Sequence, residues 1–141
     1  MRIKLRFSTT KSPFSWLIRR HENSEFSHVS IVLPDGRLLS AVVGFGVCIL
    51  PGKTYKKYKD FEVLASEDVL RYALSQLGKG YDYKALFGLF LKRKWNNEDA
   101  WTCAELIAWS FMQAGYPLLN TCDCFSVSQR DILLSPKLKE I

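Results

Sequence analysis

Apolar and polar residues alternate strictly across Arg2-Ile3-Lys4-Leu5-Arg6-Phe7, placing Ile3, Leu5 and Phe7 on one face and the cations on the other. A period of two is the mark of a half-buried strand. Ser12-Pro13 then predicts a short helix, with serine as cap and proline at the first helical position, carrying Trp16, Leu17 and Ile18. Residues 26–33 are apolar and β-rich and stop at Pro34-Asp35-Gly36, a strong turn signal. Residues 37–43 continue as the partner strand. Gly44 and Gly46 mark a turn or bulge before residues 47–50, Pro51-Gly52 ends that piece, and residues 61–65 form a further strand. The first half is therefore expected to be an antiparallel meander.

The period changes after residue 65. Ser66 with Glu67 and Asp68 opens a helix carrying Val69, Leu70, Ala73, Leu74 and Leu77, and Gly78 closes it. Asp82 could cap a helix over Leu86, Leu89 and Phe90, and the polar stretch of residues 92–100 reads as a loop. Residues 103–114 make the best helix of the chain, with Leu106, Ile107, Phe111 and Ala114 on one side and Gly115 at its end. Ser126 or Ser128 caps a last short helix over Ile132 and Leu133. Strands first and helices afterwards, without repeats or linkers, predict one α+β domain over residues 1–141, a helical layer against an antiparallel sheet.

Composition narrows the class. The apolar content of 48% with 24% charged residues belongs to a chain that folds around a core. The net charge of +6 comes from clusters at Arg19-Arg20, at Lys53, Lys56, Lys57 and Lys59, and at Lys92-Arg93-Lys94. Such clusters are either solvated faces or sites of attraction to a polyanion. No arginine-rich helix, zinc finger or aromatic RNA-binding strand accompanies them, so nucleic acid is not expected as a partner. Cys48, Cys103, Cys122 and Cys124 lack both a disulfide framework and the paired spacing of a zinc site. Reduced thiols, synthesis in the cytosol, and no metal or cofactor are expected. The N-terminus has no signal-peptide pattern, and the longest apolar stretches, residues 41–50 and 85–91, are too short to span a bilayer.

Candidate chemistry centres on Cys103, where a polar stretch gives way to the periodic helix. A thiol in a first turn meets unpaired backbone N–H groups and the positive end of the helix dipole, both of which favour a thiolate. Only two histidines, His21 and His28, could act as its base. His21 lies in the polar Arg19-Arg20-His21-Glu22-Asn23, read as a solvated loop. His28 lies on a strand, sharing a face with Ser30 while Val29 and Ile31 take the other. A structural histidine and a small apolar cysteine are the plain alternatives for the two residues.

A wider pattern joins them. Leu77-Gly78-Lys79-Gly80-Tyr81-Asp82-Tyr83, followed by Trp101-Thr102-Cys103-Ala104-Glu105-Leu106-Ile107-Ala108-Trp109 and Gln113-Ala114-Gly115, resembles the catalytic half of NlpC-type papain-like peptidases. In that family the histidine strand follows the cysteine helix, whereas here Ser27-His28-Val29-Ser30-Ile31-Val32 precedes it. This order looks like the circularly permuted branch, the YiiX-like amidases, and is similar to the permuted lecithin retinol acyltransferase relatives. The resemblance spans residues 26–115 and implies a permuted papain-like fold, a sheet or half-barrel against a helical layer.

The resemblance also implies roles. Cys103 would be the nucleophile and His28 the base that later protonates the leaving group. Tyr81 matches the tyrosine that helps bind the oxyanion, with packing as its other reading, and the Cys103 N–H would be a second donor. Glu105 matches the family's Cys-x-Glu-Leu and is expected to make a structural contact. Relatives often place a glutamate or histidine where Ser40 stands, so Ser40, a water or a backbone carbonyl would orient His28. Trp109 is expected in the core, Trp101 either there or lining a cleft, and the other cysteines are structural or incidental.

The expected activity is a cysteine amidase or peptidase acting on a cell-wall peptide amide, in a phage, prophage or delivered protein. A lipid esterase or acyltransferase could use the same residues. A non-catalytic phage structural or binding module that keeps the fold is the alternative from another class, favoured by the missing acid at Ser40.

Overall fold

The computed structural model describes residues 1–22, 25–81, 100–119 and 128–141, without the side chains of Phe14, His21, Glu22, Ala100 and Gln129. The helix expected from Asp82, the loop from Lys92, and Trp95, Cys122, Cys124 and Ser126 lie outside the described residues.

β1 (Arg2–Thr9) is followed by α1 (Pro13–Glu22), β2 (His28–Val32), β3 (Leu38–Val42), β4 (Gly46–Leu50) and β5 (Lys57–Leu64). α2 (Asp68–Leu74), β6 (Gly80–Tyr81), β7 (Ala100–Trp101), α3 (Cys103–Gln113), α4 (Gln129–Leu133) and β8 (Lys139–Glu140) complete the described elements. Six strands form one antiparallel sheet in the order β4-β3-β2-β1-β5-β8, while β6 and β7 pair in parallel. The architecture is α+β, as the change of period in the sequence predicts.

The meander holds from β1 to β4 and then breaks. A continued meander would set β5 beside β4, but β5 returns to the free edge of β1. β1 and β5 are each eight residues long and pair throughout, from Arg2↔Leu64 to Thr9↔Lys57. That satisfies an edge that would otherwise present a long row of unpaired backbone groups. Arg6 clamps the pair, donating to Asp60 from Nε at 2.8 Å and from Nη2 at 3.0 Å. β5 starts four residues before the expected strand because its first half, Lys57-Tyr58-Lys59-Asp60, carries little apolar signal.

Both faces of this sheet matter. Ile3, Leu5, Phe7, Val29, Ile31, Leu39 and Ala41 line the core face, and α3 packs on it across β2 and β3. α2 adds Val69, Leu70 and Ala73, and α3 adds Leu106, Ile107 and Phe111. Each of the Val, Leu, Ile and Phe side chains contributes about 1.5–3 kcal/mol by leaving water. The register places Ser8, His28, Ser30, Ser40 and Cys48 on the opposite face. Residues 51–56 cross that second face on the way from β4 to β5, held where Arg6 Nη1 donates to the Gly52 carbonyl at 3.0 Å.

The caps follow sequence closely. Ser12 Oγ accepts from the Ser15 N–H at 3.1 Å and opens α1. α1 runs on through His21, so the expected polar loop there is the helix's last turn, its Arg-Arg-His-Glu stretch being compatible with a helix. Ser66 Oγ accepts from the Asp68 N–H at 3.0 Å. α4 is opened by Ser128 through a reciprocal cap with Asp131. Gly36, at φ 89°, completes the Pro34-Asp35-Gly36 turn.

Candidate active site

Phe26 anchors the entry to β2 by packing its ring 6.2 Å from that of Phe7, and Ser27 N–H donates to the Ser8 carbonyl at 3.0 Å. His28 therefore begins the strand at a fixed height, opposite Ser8 on β1. Its ring lies 5.3 Å from that of Tyr55, which the crossing segment lays over the second face. The ring is half-buried, yet Nε2 is fully enclosed and has no hydrogen-bond partner among the described residues. Burial pushes its pKa down from 6.5 to about 4, so His28 is neutral at pH 7.

Tyr55 is the residue that sequence reasoning missed. It sits between lysines in Lys53-Thr54-Tyr55-Lys56-Lys57, whose charges drew attention to solvation. An aromatic inside a basic loop after Pro51-Gly52 was the available signal. Burial raises its pKa to about 12, and the nearby Cys103 and Cys48 thiols add to the shift when charged. Its hydroxyl is thus a donor throughout the working pH range, and Tyr55 links the histidine to the cysteine end of the site.

Cys103 opens α3 and is 8% exposed. Thr102 caps the helix, accepting the Glu105 N–H at 3.3 Å, while the Glu105 carboxylate accepts the Thr102 N–H at 3.1 Å. Glu105, buried beneath this turn, makes a structural contact that fixes the backbone on which Cys103 sits. Trp101 is buried and donates from its indole to Gln76 at 3.1 Å, with Trp109 5.2 Å away ring to ring. It ties the turn after α2 to α3, the packing role of its two expected readings.

Tyr81 pairs with Trp101 across β6 and β7, two residues before Cys103. The chain reaches this place because Val47 N–H donates to the Lys79 carbonyl at 2.7 Å and Gly78 N–H to the Val47 carbonyl at 3.1 Å. Tyr81, Tyr55 and His28 line one cavity of about 200 Å³, with Ser15 and Ser27 hydroxyls on its polar wall and Ile18, Val42 and Val43 on its apolar one.

Ser40 is buried on the same face as His28, but its hydroxyl donates to the Val29 carbonyl at 2.8 Å. It therefore ties β3 to β2 and does not hold His28 Nε2. Cys48 stands directly opposite Ser40, half-buried, with its thiol pushed up by burial. Ser8 Oγ and Ser30 Oγ are also buried without a partner among the described residues. Unpaired buried groups cost about 1–3 kcal/mol each, and three of them, His28 Nε2, Ser8 Oγ and Ser30 Oγ, lie on the face that carries the histidine.

The fold is an α+β antiparallel sheet in which a strand histidine shares a cavity with Tyr55 and Tyr81, while Cys103, two residues beyond the strand partner of Tyr81, is not among that cavity's lining residues. The chain is similar in structure to the metalloprotein YiiX of Escherichia coli O157:H7, a protein of domain of unknown function 1105. The TM-score is 0.72 at 16% identity, over 98% of this chain and 94% of that one. No protein-family model and no curated protein matches the chain. The neighbour is called a metalloprotein, but among the described residues here no three His, Cys, Asp or Glu side chains come together as a metal site. No described helix is long and apolar enough to cross a membrane.

Proposed function

We propose that this chain is a YiiX-type permuted papain-like cysteine hydrolase in which Cys103 and His28 cleave an amide bond of a bacterial cell-wall peptide. One observation carries the reading: a neutral imidazole shares a cavity with Tyr55 and Tyr81, and Tyr81 is the strand partner of the residue two before Cys103.

A neutral His28 is a proton acceptor. The thiol proton passes to it as the Cys103 sulfur adds to the substrate carbonyl. The resulting oxyanion takes hydrogen bonds from Tyr81, Tyr55 and the Cys103 N–H. Collapse breaks the C–N bond, and the imidazolium returns its proton to the leaving amine. A water then gives a proton to His28 as its oxygen adds to the thioester, the C–S bond breaks, and the sulfur recovers the proton. Catalytic hydrogen bonds are often long without substrate and tighten in its complex, which accommodates an Nε2 that Cys103 does not yet hold.

The test is alkylation of Cys103 together with turnover of muropeptides and of acyl lipids. His28→Ala is expected to slow both alkylation and turnover by about 100-fold or more, and Cys103→Ala to abolish turnover. Turnover confined to acyl lipids would move the substrate to an ester. Unchanged alkylation in His28→Ala, with no turnover of either substrate, would leave the second reading, a non-catalytic binding module. That reading is favoured by the Ser40 hydroxyl proton, which goes to the Val29 carbonyl and not to His28.

A further inference from the structure

Beside the His28 cavity lies a larger groove of about 570 Å³. The two share Thr10 and Tyr55, so a molecule lying across Tyr55 would occupy both. Lys11, Arg19, Lys56 and Lys57 line the groove, and Glu25 is the one carboxylate among its lining residues. These cations come from three separate places: the end of β1, the middle of α1 and the start of β5. Only the return of β5 to β1 brings them together, with Lys57 opposite Thr9.

Three other cations of β1 and β5 are paired, in Arg2–Glu62, Arg6–Asp60 and Lys59–Glu140. None of the four groove cations forms an ion pair among the described residues. Arg19 is instead held by neutral acceptors. Its Nη1 donates to the Thr10 carbonyl at 2.7 Å, to Ser15 Oγ at 2.9 Å and to Thr9 Oγ1. The guanidinium is thereby fixed in the wall while its charge stays uncompensated. Four cations around one carboxylate repel one another and focus a positive potential into the groove.

We propose that this groove is a subsite for an anionic oxygen group, carboxylate or phosphate, carried by the substrate whose acyl bond lies at His28. Arg19 is the hydrogen-bonded cation of the site, and the three lysines add charge around it. Thr10 and Thr54 add hydroxyl groups at the rim. The inference rests on the hydrolase reading for what happens at His28, but binding in the groove does not depend on catalysis.

The experiment measures equilibrium binding to the full chain carrying Cys103→Ser. The probes are N-acetyl-alanyl-glutamate against its diamide, and glycerol 3-phosphate against glycerol. The charged member of at least one pair should bind more tightly, with an affinity that falls as ionic strength rises. The combined Lys56→Glu and Lys57→Glu change should weaken that binding about ten-fold or more. Lys11→Glu, on another element, should weaken it too and keeps the test open if the double variant fails to fold. Preference for the dipeptide acid assigns the anion to a peptide, and preference for the phosphate assigns it to a lipid headgroup. Equal binding of charged and uncharged probes, or binding indifferent to both charge reversals, overturns the subsite. Charge-selective binding with no effect of His28→Ala on Cys103 alkylation, and no turnover of muropeptide or acyl lipid by the unaltered chain, would keep the subsite and remove the hydrolase reading.

Discussion

The rings of His28 and Tyr55 lie 5.3 Å apart at 36° to one another, on the face of the sheet away from the helical core. Burial at this place keeps the strand histidine neutral at pH 7. Tyr55 reaches His28 because the chain must recross the sheet to pair β5 with β1, and Tyr55 lies on the segment that makes the crossing.

Stability should fall as the solution is acidified. The unfolded His28 binds its proton near pH 6.5 and the folded one near pH 4, so between these values the unfolded state holds more protons. The contribution is complete above pH 6.5, declines as pH falls, and is gone below about pH 4. At about 1.4 kcal/mol per unit it amounts to at most on the order of 3 kcal/mol for this half-buried ring. Urea melts at a series of pH values will measure it. His28→Asn should flatten the profile across that window, and an unchanged slope would contradict the assignment.

The titration can be seen directly. With two histidines in the chain, proton NMR should resolve two imidazoles, and His21→Gln identifies which is His28. His28 should titrate near pH 4. Tyr55→Ala removes the covering ring, admits water to Nε2 and should move the midpoint back toward the ordinary value. A midpoint unmoved by Tyr55→Ala would show that Tyr55 is not what encloses the ring.

Tyr55→Phe separates the ring from the hydroxyl. The fold and the His28 midpoint should persist, because the aromatic cover remains. Turnover should drop by about 100- to 1,000-fold through the loss of one oxyanion donor, mostly in kcat. A variant with full kcat would leave Tyr55 a packing role only.

Ser40→Ala tests whether the buried serine on the His28 face of β3 orients the imidazole. Loss of its hydrogen bond to the Val29 carbonyl should cost about 1 kcal/mol in denaturant melts. Cys103 alkylation should stay at its original rate. A matching loss of alkylation would mean that Ser40 acts on His28 after all.

Gly46→Ala probes the junction that delivers Tyr81. Gly46 has φ 73°, and a β-carbon there would stand 2.3 Å from the Lys79 carbonyl oxygen. Left-handed strain and a backbone clash together should cost at least about 2 kcal/mol, read as a lowered Tm. Because Lys79 precedes β6, the surviving folded protein should also lose turnover out of proportion to its stability.

Much of the molecule was legible in the chain itself. Alternation in residues 2–7, the Pro34-Asp35-Gly36 turn and the caps at Ser12 and Ser128 act over a few residues, so local pattern sufficed to place them. The same holds for Cys103, whose position at a helix start follows from Thr102 and the periodic run after it. Only the tertiary structure decided which strand β5 would join, because pairing over about fifty residues is chosen by edge satisfaction and by the Arg6–Asp60 clamp, not by local propensity. From that choice came the placement of Tyr55 over His28 and the gathering of Arg19 with Lys56 and Lys57. Burial and proximity are properties of the packed chain, and for that reason the pKa of His28 and the company it keeps could not be read from its neighbours in sequence.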